Sequence, residues 1–210
     1  NPDVLPVLPG MALLTPQAEG RLEARGRAAG TDGTIPLTTL ASIPSGSLAG
    51  KNLSDARVSF DGTLEGAALA GTLGGDAFLD GVRVMLSAGL AVAEGERRLT
   101  DLDFSAGGAR VTGSLTQDAA GLFDGSLKID AADISTAAAL FLAEAAGAVE
   151  ADIGLTATDG RQNASVEATV RDFRLGETQL GQATAQAVAE DLFNVPAVDG
   201  TVRAQALVAG

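Results

Sequence analysis

Any acid–base or metal chemistry in this sequence would have to rest on carboxylates. The chain has no His, Cys or Tyr, so the usual general bases, thiol nucleophiles and zinc ligands are missing. A pair of Asp or Glu side chains can still serve as general acid and base, as in glycosidases. The 27 acidic residues, however, fall mostly in turns or at alternating positions that face water, and solvated carboxylates are the rule there. The sequence reads as non-enzymatic, without cofactor or metal.

Two short patterns fit bland readings. Gly74-Gly75-Asp76-Ala77-Phe78-Leu79-Asp80-Gly81 partly matches the calcium-binding nonapeptide of secreted β-rolls, but that motif works in tandem and occurs here once. A turn between two strands accounts for it. Asn163-Ala164-Ser165 matches the glycosylation sequon in mid-strand, a pattern short enough to arise by chance.

The elements that position these side chains are strands. From Leu99 to Asp172 apolar and polar residues alternate in run after run: Leu102, Phe104 and Ala106, then Val111, Gly113 and Leu115, then Phe123, Gly125, Leu127 and Ile129. After one interruption come Val149, Ala151, Ile153, Leu155 and Ala157, and then Ala164, Val166, Ala168 and Val170. Successive strand side chains point to opposite faces, so each run has one apolar and one wet face. Gly107-Gly108, 117–121 and Asp159-Gly160-Arg161 supply hairpin turns. The stretch is a β-meander, solvated on one side.

Around it the sequence predicts an extended entry over 1–9, which holds three of the 7 prolines. Strands follow over 11–18, 20–28 and 34–40, with a turn at 30–33. Ser42 to Ser54, with Pro44, Gly46 and Gly50, reads as a loop. Further strands are expected over 56–64 and 67–73. Asp76 to Val92 is one long strand or two hairpin-linked pieces, with Phe78, Val82, Val84, Leu86, Ala88 and Leu90 on one parity. A helix of about three turns is expected over 133–146, capped by Asp133 and Gly147, with Ile134, Ala137, Ala138, Phe141 and Ala145 on its apolar side. Asp191 to Asp199 is a loop and Thr201 to Val208 the last strand. Gly113 and Gly154 read as sites where curvature needs no side chain.

Composition sets the partners. Hydrophobic residues make up 46% of the 210 residues but aromatics only 3%, so the apolar surface is built from small aliphatics. With 14 basic residues against 27 acidic ones, the charge of -13 disfavours nucleic acid and an anionic membrane surface. The lack of Cys excludes a disulfide scaffold and is compatible with an oxidising compartment. No signal-peptide pattern and no apolar run of about 20 residues occurs. The chain reads as one elongated segment of a longer protein. Its apolar face either forms the core of a closed sandwich or barrel, the commoner arrangement, or stays open as a groove.

The run Leu102 to Leu115, the segment Asp133 to Ile153 with its expected helix and Gly-led strand, and the runs Val170-Arg171-Asp172-Phe173-Arg174-Leu175-Gly176, Leu180-Gly181 and Asp191 to Gly200 together resemble the TamB and AsmA-like proteins of Gram-negative bacteria. The resemblance covers residues 55 to 210. It implies a mainly β chain: an elongated, curved, antiparallel sheet forming an open hydrophobic groove, a β-taco, with one short helix. It also implies a periplasmic location within an inner-membrane-anchored protein, phospholipid acyl chains as cargo, and an Omp85-type partner in outer-membrane protein assembly. On this reading Phe60, Phe78, Phe104, Val111, Phe123, Leu127, Ile129, Val149, Ile153, Leu155, Val166 and Val170 line the groove. The other readings are a structural or adhesin-like module with a closed core, and a periplasmic chaperone that binds unfolded chains by strand addition.

Overall fold

The computed structural model describes residues 18–20, 23–28, 33–48, 51–140, 145–175 and 178–208. In chain order its strands are β1 (Ala18–Gly20), β2 (Glu23–Ala28), β3 (Thr34–Leu48), β4 (Lys51–Glu65), β5 (Ala68–Leu79), β6 (Val82–Ala93), β7 (Glu96–Ala106), β8 (Ala109–Gln117) and β9 (Phe123–Ala131). A short helix, α1 (Ser135–Leu140), precedes β10 (Ala145–Thr158), β11 (Arg161–Leu175), β12 (Thr178–Glu190) and β13 (Ala197–Val208). All of the strands belong to one 13-stranded sheet. From β3 to β13 each strand pairs antiparallel with the next in sequence, while β1 and β2 both pair with β3.

Short turns enforce this order. Asp80-Gly81, Glu94-Gly95, Gly107-Gly108 and Asp159-Gly160 each connect two strands with positive φ at both residues, the conformation whose twist matches the flanking strands. β13 does not pair back to the β1 end, so the sheet is open. Among the described residues strands pack on their sheet neighbours, α1 packs on β10, and no second sheet lies across either face. The closed core of a sandwich or barrel is therefore not formed.

Long strands bend at bulges. β4 carries an extra residue at Asp55 relative to β5, β7 one at Asp101 relative to both neighbours, and β11 one at Asp172 relative to β10. Each of these Asp residues has φ near 50°, which Asp tolerates better than most side chains. A bulge turns the strand and shifts the phase of its alternation by one. Leu99 and Leu102 thus reach the same face although their numbers differ in parity.

Several expected boundaries change. Ser42 to Ser54 is not a loop: β3 runs to Leu48 and β4 starts at Lys51. Pro44 is accommodated because it falls between the part of β3 that pairs with β2 and the part that pairs with β1, where its missing N–H interrupts no ladder on that edge. The helix does not reach the expected 146, since Ala145 and Ala146 pair with Leu175 and Arg174 in the sheet and find their backbone partners there. Asp133 does cap the helix, accepting from Ser135 N at 2.9 Å and also from Gly147 N at 3.3 Å. Gly147 is no helix cap but sits at the β10–β11 bulge, where a Cβ would come within 2.7 Å of the Asp172 carbonyl oxygen. Asp76 to Val92 resolves into two strands around Asp80-Gly81, and the expected loop over 191–199 ends at Ala197, where β13 begins. The entry over 1–9, the strand over 11–17, the turn residues 30–32 and Phe141 lie outside the described residues.

Candidate functional site

Residues paired across antiparallel strands point to the same face, so the register can be followed as rows. One row runs Ala41, Val58, Gly75, Leu86, Phe104, Val111, Ile129, Ala151, Ala168, Ala185 and Val202, from β3 to β13 without a polar side chain. The next row on this face, Gly113, Leu127, Ile153, Val166, Ala187 and Gly200, is equally apolar. A further row holds Leu90, Leu99, Leu115, Gly125, Leu155, Ala164 and Ala189. At about 4.8 Å per strand the apolar face extends roughly 50 Å across the strands. The opposite face alternates with it: Arg57, Asp76, Met85, Ser105, Arg110, Asp130, Glu150, Thr169, Thr184 and Arg203 form one of its rows.

The register brings all but one of the expected lining residues onto the apolar face. Phe78 is the exception. It pairs with Ser54 and Arg83 on the polar face, because the two-residue turn at Asp80-Gly81 places Leu79 opposite Val82 and so reverses the phase between β5 and β6. Phe60 is only 8% exposed although no layer covers it among the described residues. Its ring lies over the facing pair Gly62 and Gly71, where Cβ atoms would collide with backbone and with the Phe60 ring. An aromatic side chain thus fills the gap that two glycines leave in the sheet.

Polar side chains mark one margin of the apolar face. Gln162, 2% exposed, accepts from Phe123 N at 2.6 Å and donates to Phe123 O at 2.9 Å, closing the end of β9 as a strand neighbour would. Gln117 is also buried, and Arg97 Nη1 donates to its Oε1 at 3.2 Å. Sequence reasoning missed all three, although each falls on the apolar phase of its strand.

A broad concavity lies on the other face. A groove of about 670 Å³ crosses β8 to β13 between the side-chain rows of Thr112, Lys128, Asp152, Glu167, Gln186 and Thr201 on one side and Ser126, Ser165, Val188 and Asp199 on the other. These side chains belong to the polar face. A twisted sheet is concave on each face along a different direction, and depth alone does not make this groove a site for apolar cargo.

Several acidic residues tie strands together. Cross-strand pairs on the polar face include Arg57 with Asp76 at 3.7 Å, Lys128 with Asp152 at 3.6 Å and Arg171 with Glu150 at 2.7 Å, while Lys51 meets Asp80 at 3.2 Å by the β5–β6 turn. Both acids of the β-roll-like segment are thereby engaged. Asn163 Oδ1 accepts from Asp191 N at 3.1 Å. Among the described residues no group of His, Cys, Asp or Glu is arranged to hold a metal ion, and no helix is long and apolar enough to cross a membrane.

Three carboxyls are held below the ordinary Asp value of 3.8: Asp80 by the Asn52 amide and Lys51, Asp103 by Arg110, and Asp133 by the amides of Ser135 and Gly147. A folded-state value below the unfolded one adds stability that is complete above the unfolded value and is lost as pH falls through the folded one. Urea midpoints are expected to hold from pH 7 to about 5 and to decline below about 4, and Asp80→Asn with Asp133→Asn should flatten that decline. An unchanged slope in the double variant would show that these two carboxyls do not set it.

Comparison with family models, curated proteins and solved structures returns no match.

Proposed function

We propose that this chain is a non-enzymatic, lipid-conducting segment, whose open apolar face carries phospholipid acyl chains through water. The observation that carries the reading is the unbroken apolar row from Ala41 to Val202, with no element across it among the described residues. Soluble monomers rarely expose a contiguous apolar surface beyond a few hundred Å² unless it binds something. Burying each CH₂ of a chain is worth about 0.8 kcal/mol. The face is more than three times as long as the roughly 15 Å depth of one bilayer leaflet, so a chain can shift along it strand by strand. Ala, Val, Gly and Leu leave room for such a chain and hold it without direction.

The resemblance to TamB and AsmA-like proteins supports placing this activity in the periplasm, in transport to the outer membrane and in outer-membrane protein assembly with an Omp85-type partner. A second reading, a chaperone that adds an unfolded strand to the sheet, is favoured by the edge of β13, unpaired among the described residues, where Val198 and Val202 are 70% and 73% exposed.

The test is native mass spectrometry with lipid extraction on the chain expressed in a bacterial periplasm and purified without detergent. Co-purified phospholipid is expected. A lipid-free mass together with no binding of an apolar dye would overturn the reading.

A further inference from the structure

The apolar face carries a cation that has no acidic partner among the described residues. Every ion pair there either lies on the polar face or, for Lys51 and Asp80, stands beside the β5–β6 turn. Arg97 pairs in register with Val92 and Gln117. These residues belong to the apolar face, one row outside Leu90, Leu99 and Leu115. The Arg97 side chain is half-buried. One of its five N–H donors is directed to Gln117 Oε1, and Gln117 Nε2 donates onward to the Gly121 carbonyl at 3.3 Å. Next to them is a cleft of about 120 Å³, lined by Arg97, Gln117, Gly95 and the 118–121 turn. The carboxylate in that turn, Asp118, is engaged by the amides of Ala120 and Leu122, both at 2.9 Å, and forms no ion pair with Arg97.

We propose that Arg97, braced by Gln117, is a headgroup anchor that takes the phosphate or carboxylate of an anionic amphiphile whose chain lies along Leu90, Leu99 and Leu115. The proposal rests on the lipid-carrying reading above. A guanidinium offers both oxyanions a planar fork of donors, and charge-assisted hydrogen bonds are about twice as strong as neutral ones. Apolar neighbours lower the local dielectric and strengthen the attraction. The overall charge of -13 opposes it little, since charges farther away than about 8–10 Å are screened at physiological salt.

Dodecyl phosphate, dodecanoate and dodecyl maltoside, each below its micelle concentration, would be titrated against the wild-type chain, Arg97→Gln and Arg97→Lys. The two anionic amphiphiles are expected to bind the wild type about tenfold more tightly than the maltoside. That preference should vanish in Arg97→Gln, persist in part in Arg97→Lys and shrink at 0.5 M salt. A larger margin for the phosphate would point to phospholipid headgroups, a larger margin for the carboxylate to fatty acids, and equal margins to the shared anionic chemistry. Equal binding of all three by the wild type, or a preference that survives in Arg97→Gln, would overturn the anchor and leave the apolar face as the carrier. Failure of all three to bind would remove the lipid reading and the anchor with it.

Discussion

Changing Phe104, Leu127 and Val166 together to Asp is expected to strip bound phospholipid from the chain, a loss of at least about 100-fold in affinity, while the sheet stays folded. The three positions lie on β7, β9 and β11 of the apolar face, and none is directly opposite another, so no new pair of facing carboxylates splits the ladder. They span about 19 Å across the strands. An acyl chain lying on this part of the face meets at least one of them. Covering an ionised carboxylate with hydrocarbon costs several kcal/mol, more than the few CH₂ contacts at one position return. Folding is affected far less, because each site is half-buried with water within reach and each lost cross-strand contact is worth about 0.2–1 kcal/mol.

The control places the same three charges on the other face, with Ser126→Asp, Ser165→Asp and Thr201→Asp along the 670 Å³ groove, positions that face no existing carboxylate. Lipid extraction should find those chains loaded like the wild type. If the polar-face set loses lipid and the apolar-face set keeps it, the cargo lies in the polar-face groove and the apolar rows are not the path. If both sets keep it, neither face is the carrier.

The apolar face could be read from residue alternation because a strand's side-chain period is two and a half-buried antiparallel sheet must repeat it. That rule places Leu127, Ile129, Val149, Ile153 and Val166 together, and the register does the same. The rule fails wherever one residue is added. Asp55, Asp101 and Asp172 look like polar-phase residues but are bulges that shift the phase, and Phe78 changes face because two turn residues separate Leu79 from Val82. A run of Ala fits a helix or a small-residue strand equally well, so pairing with β11 decides the fate of Ala145 and Ala146. Arg97 and Gln117 occupy the apolar phase, and a polar residue in that phase is a signal that pattern reading alone treats as a strand end.

Gly113 and Gly125 should tolerate no side chain, although curvature alone would permit one. Their φ angles are 150° and 140°, and a Cβ at Gly113 would fall on the Ser126 carbonyl oxygen and one at Gly125 on that of Ser114. The two glycines hold β8 and β9 in close approach at symmetrical positions around the Ser114–Ser126 pair. Gly113→Ala or Gly125→Ala is expected to cost about 3 kcal/mol, since both clashes are with backbone that cannot rotate away. Gly66→Ala is the comparison: its φ is 58° and nothing lies within 4 Å of the added Cβ, so it should cost about 1 kcal/mol of conformational strain. Urea midpoints give the energies, and amide exchange should show protection lost first in β8 and β9. The consequence reaches the apolar face, where Gly113 and Gly125 stand in two adjacent rows beside Leu127 and Leu115. Methyl groups there would force the strands apart and break the rows at their middle, so the alanine variants should lose lipid in proportion to the lost protection. An alanine at 113 that leaves the midpoint unchanged would mean that β8 and β9 do not approach so closely, and the row would be no tighter there than elsewhere.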